Sequence, residues 1–346
     1  MNIFMKKVSK LNWFNVENWG IEGKGWVNTA NYYDRLPPKA ESLLPDLWPM
    51  STNPTGHCVF FETDASEIHA QWILRSPELD EPNMSRVNFS GLDLYAHDGQ
   101  RWCWAGATSA FNNQLAKTCL VDEIIPEKRL YRIYLSARNS VQHLEIGVPS
   151  DSFFKPVKPR LIKSIVYYGS SIIHGAYASR PGMNHPAVLG RWLDRPVVNL
   201  GFSGEAKMHE PMAYLLAELD PAVYVLDALP NMDIQLLNER AENFLTILAS
   251  AKKQTPIVIV EDFPLTNGWI RKNALKLHQE KWKSFHQVYR KLQKHGFNHI
   301  HYVKGVHSIG DDHEGTLDGI HPNDLGYRRL AENLFPVLKE ILSIRS

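Results

Sequence analysis

The chain is poor in cysteine. Its 346 residues hold three, Cys58, Cys103 and Cys119, an odd count with no C-x-x-C spacing. Buried free thiols are the expectation and one disulfide the alternative; all three lie far from the motifs below, so no cysteine nucleophile is expected. Charge of one sign is lacking too. A formal net charge of +1 gives no electrostatic case for nucleic acid or an anionic membrane surface as partner. No apolar run reaches the roughly 18 residues a bilayer span needs. The opening "MNIFMKKVSKLNWFNVENWG" carries lysines but no apolar h-region after them, so the reading is a cytoplasmic protein; a secreted protein with its leader trimmed would read the same. No fixed-period repeat or low-complexity tract occurs. What remains is ordinary globular material, 44% hydrophobic and long enough for two domains.

The chain changes character near residue 155. Before it, "HCVFFETDA", "IHAQWILRS", "VNFSGLDLYAHDG", "RWCWAGAT", "RLYRIYLSA" and "VQHLEIGVP" are rich in β-branched and aromatic residues and are separated by Gly, Asp, Asn and Pro. In the last run Leu144, Ile146 and Val148 alternate with His143, Glu145 and Gly147, the pattern of a strand buried on one face. Many short strands with turns between them predict a β-sandwich over residues 1–150. The proline-rich "PSDSFFKPVKPRL" predicts a linker, residues 151–162.

From residue 163 to 346, strands alternate with helices. Strands are predicted at 164–168, 196–200, 222–227, 256–261 and 299–303. Leu237, Ala241, Phe244 and Leu248 share a helical face, as do Phe285, Val288, Tyr289 and Leu292; a last helix follows Asn323. Five alternating strands predict an α/β domain with a parallel sheet covered on both faces. Ligands of such sheets bind outside the carboxyl ends of the strands.

The strand ends carry "YGSSI", "NLGFSGEA", "LDALPNMD" and, beyond the fifth, "LDGIHPNDLG". These hold the parts for acyl transfer: a nucleophile, a base with its orienter, and oxyanion donors. A serine hydroxyl needs a neutral imidazole to take its proton, and the imidazole needs its other nitrogen held. Asp318, three residues before His321, can reach back to the ring across a turn. Backbone N–H groups of Ser171 and Gly204 and the amide of Asn231 can meet the developing oxyanion, where each such donor is worth about 2.7–4 kcal/mol. The order Ser, Asp, His is also that of an α/β-hydrolase, but the elbow G-x-S-x-G is absent: Ile173 and Glu205 stand where its last glycine would fall.

The four segments resemble the SGNH (GDSL-type) hydrolase superfamily over roughly residues 163–345. Gly169-Ser170-Ser171-Ile172 matches its Gly-Asp-Ser-Leu block, Gly204 in "GFSGE" its glycine donor, Asn231 in "LPNM" its Gly-x-Asn-Asp block, and Asp318 with His321 its Asp-x-x-His block. The resemblance assigns the nucleophile to Ser171 rather than Ser170. It departs at Ser170, where aspartate is usual, at Leu229 in place of glycine and at Met232 in place of aspartate. It implies a flavodoxin-like five-stranded sheet, and the β-rich first half resembles the jelly-roll domain that precedes the catalytic domain in some carbohydrate esterases and an acyltransferase-like branch. It further implies a serine carboxyl-ester hydrolase removing small acyl groups, often acetyl, from a carbohydrate or related small molecule. Acyl transfer from the same acyl-enzyme, lipid or thioester hydrolysis, and glycan binding without catalysis are the rivals. "FPLTNGWIRKNALKLHQEKW" is the segment to inspect for a lid.

Arg180, on the loop after the nucleophile, and Asp227, beside the asparagine turn, are candidate substrate contacts. His299 and His301 share a strand face as metal ligands can, yet have no acidic or cysteine partner at a characteristic spacing, so neither a metal nor a cofactor is expected. Trp72, Tyr95, Trp102 and Trp104 fit core packing first and a sugar-stacking platform second. Oligomeric state has no signature in the sequence.

Overall fold

The computed structural model describes residues 10–108 and 111–343. The readings made on residues 1–9, 109–110 and 344–346, which include part of the leader reading and the outer ends of both expected domains, lie outside the described residues.

The first part contains β1 (Leu11–Asn15), short helices α1 (Ala40–Leu43) and α2 (Trp48–Ser51), β2 (Cys58–Thr63), β3 (Ile68–Leu74), helix α3 (Arg86–Ser90), β4 (Asp93–His97), β5 (Trp102–Ala107), β6 (Leu115–Val121), β7 (Arg129–Tyr134), β8 (Val141–Pro149) and β9 (Phe154–Val157). They form two antiparallel sheets, ordered β1-β8-β3-β6 and β5-β4-β7-β2-β9. One core fills the space between them, with Trp72, Leu144 and Ile146 from the first sheet against Phe61, Leu94 and Ile133 from the second. The alternation in β8 is the reason: Leu144, Ile146 and Val148 are buried while Glu145 faces outward.

Two local expectations change. Residues 87–90, read as the start of a strand, are helical and belong to α3. The Ser85 hydroxyl accepts the Asn88 N–H at 3.1 Å, and such a cap opens a helix. The expected linker contains β9, which pairs with β2. Pro156 is tolerated there because β9 is an edge strand and needs to donate no bond on its open side.

The second part contains β10 (Ile165–Gly169), α4 (Ser171–His174), α5 (His185–Trp192), β11 (Val197–Gly201), α6 (Glu210–Ala217), β12 (Val223–Asp227), α7 (Ile234–Ala251), β13 (Ile257–Val260), α8 (Ala274–Lys294), β14 (Ile300–Val303) and α9 (Asp324–Ser343). The strands pair in parallel in the order β11-β10-β12-β13-β14, the flavodoxin-like arrangement. β10, β11 and β12 are buried at every residue because helices cover both faces. Met212, Phe244, Leu248 and Phe285 pack on one face, and Val188, Leu334 and Leu338 on the other. Asn323 caps α9, its side chain accepting the Gly326 N–H at 3.0 Å.

The cores do not divide at residues 151–162. Leu36, Ala40, Leu44 and Leu47 belong to the same core as Leu200, Phe202 and Met212. Arg35 is buried there. Its Nη1 donates to the carbonyls of Asn199 at 3.0 Å and Gly201 at 2.8 Å, its Nη2 to Met50 at 2.7 Å, and its guanidinium lies 4.6 Å from the Phe202 ring centre. Among the described residues no helix is long and apolar enough to cross a membrane.

Candidate active site

β10 ends at Gly169 and α4 begins at Ser171, so Ser171 stands just beyond the carboxyl end of β10, an inner strand of the sheet. Ser170 makes the junction. Its N–H donates to the Asp227 carbonyl at 3.0 Å, and its hydroxyl caps α4 by accepting the Ile172 N–H at 3.3 Å. A serine therefore does at this turn what a carboxylate can do, accepting an orphan N–H of the first helical turn. Ser170 is fully buried, its hydroxyl engaged with the Ile172 N–H rather than with His321.

Ser171 Oγ lies 2.8 Å from His321 Nε2, and His321 Nδ1 lies 2.7 Å from Asp318 Oδ2. The other oxygen, Asp318 Oδ1, accepts the N–H of Ile320 at 2.9 Å and of His321 at 2.7 Å. Partial burial pushes the Asp318 carboxyl up, but the His321 amide and ring and the Ile320 amide outweigh it and hold the group below its ordinary range. An ionised Asp318 keeps the Nδ1–H tautomer, which leaves Nε2 as a lone pair facing the hydroxyl. The Tyr177 ring packs edge-on against His321, centroids 4.8 Å apart.

The expected oxyanion donors Gly204 and Asn231 lie on two turns. Gly204 follows β11 with φ +75°, a left-handed conformation that glycine adopts without cost. Asn231 closes the turn after β12; its Nδ2 donates one hydrogen to the Phe202 carbonyl at 3.3 Å, which ties the two turns together. Among the described residues the amides of Ser171 and Gly204 donate to no backbone carbonyl. Gly201 allows the close approach: a Cβ there would fall 2.2 Å from the backbone nitrogen of His174 in α4.

A cleft of about 620 Å³ opens over these groups. Ser171, Gly204, Asn231 and His321 line it, together with Ala176, Tyr177 and Ser203. Glu81, Pro82, Asn83 and Arg138, from the loops of the β-sheet part, form a further wall of it. Neither that wall nor Tyr177 belongs to a motif, so sequence reasoning missed them. Ser203 does not compete for His321: its hydroxyl lies 3.1 Å from His174 Nδ1. His174 is held well below the ordinary imidazole range by burial and by Arg138 and Arg35, so it is neutral.

Neither of the two expected substrate contacts lines this cleft. Arg180 does not line this cleft; Nη1 bonds the buried Asp93 at 3.0 Å and the Tyr95 hydroxyl at 2.5 Å, which turns the side chain toward the β-sheet part. Asp227 sits beneath the site, buried, with Oδ1 unpartnered among the described residues. Burial and then Asp262 push its carboxyl up to about 7, against the pull of Lys281. Lys281 on α8 is a brace that the sequence did not reveal. It pairs with Asp262 and donates to the Leu229 carbonyl at 3.0 Å, two residues before Asn231.

The aromatics divide. Trp72 is core, while Trp104 is exposed and donates to Asp93 at 3.1 Å; Tyr95, Trp102 and Trp104 border a separate groove. Among the described residues no disulfide forms, and of the three cysteines Cys58 alone is buried. The three-ligand group able to approach a cation among the described residues is Glu67, His69 and Cys119, on the first sheet and outside the cleft; His299 and His301 are not in it.

The profile described as the GDSL-like lipase/acylhydrolase family matches residues 162–339, and one described as the N-terminus of SGNH-hydrolase-type esterases matches residues 11–154. A protein of Bacteroides ovatus ATCC 8483, described as a candidate GDSL-like lipase, is 30% identical with a TM-score of 0.91, over 96% of this chain and 98% of its own. The salicylyl-acyltransferase SsfX3 of a tetracycline biosynthetic pathway shares the fold at 16% identity and TM-score 0.75, over 98% of this chain and 99% of its own. So does a family two carbohydrate esterase of Cellvibrio japonicus at 12% identity and TM-score 0.61, over 97% of this chain and 99% of its own. No curated protein sequence matches the chain.

Proposed function

Because the chain belongs to the GDSL-like lipase/acylhydrolase family, and so is a carboxylic ester hydrolase, we propose that Ser171 is its nucleophile, His321 its general base and Asp318 the orienter of His321. The observation that carries this is the continuous relay from Ser171 Oγ to His321 at 2.8 Å and from His321 to Asp318 at 2.7 Å. In the first half-reaction Ser171 Oγ attacks the ester carbonyl and its proton passes to His321 Nε2. The oxyanion meets the N–H groups of Ser171 and Gly204 and the free hydrogen of Asn231 Nδ2. His321 then gives its proton to the departing alcohol, leaving an acyl-Ser171. Water attacks that ester with His321 again as base, and the carboxylic acid leaves.

The substrate we propose is a small acyl ester, acetyl first, of a carbohydrate or related small molecule. The cleft is open, and the polar side chains of Glu81, Asn83 and Arg138 line it together with Ser171. In this division of labour residues 163–346 supply the chemistry and residues 1–150 one wall of the cleft, with the segment 151–162 joining them.

The experiment compares the unmodified chain with Ser171→Ala on p-nitrophenyl esters and acetylated sugars. Loss of turnover in the variant, with the fold intact, is expected; equal turnover would sink the mechanism. Adding an alcohol acceptor and analysing products separates transfer from hydrolysis. A lipid-directed reading draws on one observation: Trp269 and Ile270, in the segment inspected for a lid, are 72% and 66% exposed, and the Thr266 N–H bonds the Gly319 carbonyl beside His321 at 3.1 Å. Turnover that rises sharply above the micelle concentration of a long-chain ester would favour it.

A further inference from the structure

We propose that Arg138 is the specificity-determining residue of the cleft and selects esters that carry a carboxylate, on either the acyl or the alcohol part. This rests on the esterase reading above.

The loop between β7 and β8 that bears Arg138 is braced from several directions. Asn139, buried at its centre, donates to the carbonyls of Ser76 at 3.1 Å and Glu78 at 2.8 Å and accepts the Ser76 N–H at 3.1 Å. The Ser136 hydroxyl donates to the Asn139 carbonyl at 2.7 Å. The N–H groups of Ala137 and Arg138 donate to Asn88 and Phe89 at 2.8 and 3.2 Å. Asn88 Nδ2 in turn donates to the Gly175 carbonyl, just after the Ser171 helix, at 2.9 Å. The loop is thus registered against the nucleophile's own helix, and Arg138 is the side chain it delivers to the cleft.

That guanidinium is under-satisfied. Nη1 donates to neutral His174 at 3.3 Å. Nη2 lies 3.7 Å from Glu81 Oε1, beyond hydrogen-bond range, and Nε is buried with no partner among the described residues. Arg160, by contrast, is matched by a carboxylate: it donates to both oxygens of Glu22, at 2.7 and 2.9 Å. A planar guanidinium presents a fork that fits a carboxylate with two parallel bonds, and burial strengthens such a pair. Arg138 and Glu81 are the arginine and the acidic side chain on the cleft lining. An incoming carboxylate replaces the long Glu81 contact with short ones. A sugar acid bearing an acetyl ester unites this requirement with the chemistry proposed above.

The test is a ratio measured within each protein. kcat/KM is taken for p-nitrophenyl hemisuccinate against its methyl ester, which places the carboxylate on the acyl part. The pair 4-acetoxybenzoate and methyl 4-acetoxybenzoate places it on the alcohol part. After correction for uncatalysed rates, the unmodified chain is expected to favour the anionic member of at least one pair by about 10- to 100-fold, the range of a charge-assisted hydrogen bond. Arg138→Gln removes that preference, Arg138→Lys retains part of it, and Glu81→Gln raises it. A residue that only braced the loop would lower both members of a pair alike. The proposal is overturned if the unmodified chain shows no anionic preference, if the preference survives Arg138→Gln, or if that variant lowers both members equally. Turnover that persists in Ser171→Ala, or no turnover of any of the four esters, overturns the esterase reading instead and this proposal with it.

Discussion

Asp227→Asn tests the electrostatics beneath the nucleophile. The carboxyl ends β12, one of its oxygens has no partner among the described residues, and burial pushes it up to about 7. In the unfolded chain an aspartate titrates near 3.9. Between those values the folded state holds a proton that the unfolded state has released. Stability is therefore complete below about pH 4, falls as pH rises, and levels off above the folded value. At about 1.4 kcal/mol per pH unit, the gap between about 4 and about 7 corresponds to about 4 kcal/mol at pH 8. Asparagine keeps the shape and cannot ionise. Its extra N–H adds an offset, but one independent of pH. Urea unfolding followed by tryptophan fluorescence at pH 4.5 and pH 8 reads the difference. The variant's stability relative to the unmodified chain is expected to rise by several kcal/mol between the two. An equal difference at both would refute the argument, because it would mean that Asp227 ionises in the fold as it does in water.

Four other substitutions probe the parts around it. Ser170→Ala removes the cap on Ile172 and is expected to lower stability by about 1 kcal/mol while ester turnover persists, as urea midpoints and a p-nitrophenyl acetate assay would show. Asp318→Asn is expected to lower kcat by about 10²- to 10⁴-fold at unchanged KM; the side chain is 31% exposed, so the lower part of that range applies. Gly204→Ala meets no neighbour but places a Cβ at φ +75°, for a cost of about 1–2 kcal/mol, and should lower kcat more than it raises KM. Lys281→Met frees the Leu229 carbonyl and removes the cation that pulls Asp227 down. Lower kcat, together with a stability window for Asp227 displaced to higher pH, is the expected pair of results.

The parts of the site legible in the sequence are those whose geometry is local to a strand end. Ser171, Gly204 and Asn231 each follow a parallel strand by a few residues, and parallel strands in register bring such positions together. Asp318 and His321 are three apart and need only a turn. The two antiparallel sheets were legible for a similar reason, since alternation such as that of β8 is a local signal. Arg180 shows where locality ends. It follows the nucleophile by nine residues, yet its direction is set by Asp93, 87 residues earlier, which the chain order does not place beside it. Arg138 and Glu81 are the converse case: they reach the cleft from the β-sheet part through Asn139 and Asn88, whose bonds join segments far apart in sequence. The stretch read as a linker contains β9, whose Pro156 suits an edge strand as well as a loop, so proline content did not distinguish the two.

The burial of Arg35 bears on how such a protein can be rearranged in evolution. Its guanidinium holds the carbonyls at the end of β11, from which the Gly204 turn departs. A cut between residues 151 and 162 therefore takes from the α/β part a side chain on which the Gly204 turn leans. A gene fragment beginning at residue 163 would leave Leu200 and Phe202 facing water where Leu36 and Leu44 now pack. The β-rich part behaves as a fixed half of one enzyme rather than an interchangeable accessory. The two halves are expected to be inherited together, and a swap of the first between distant relatives should fail unless residues 33–51 of the recipient travel with the second.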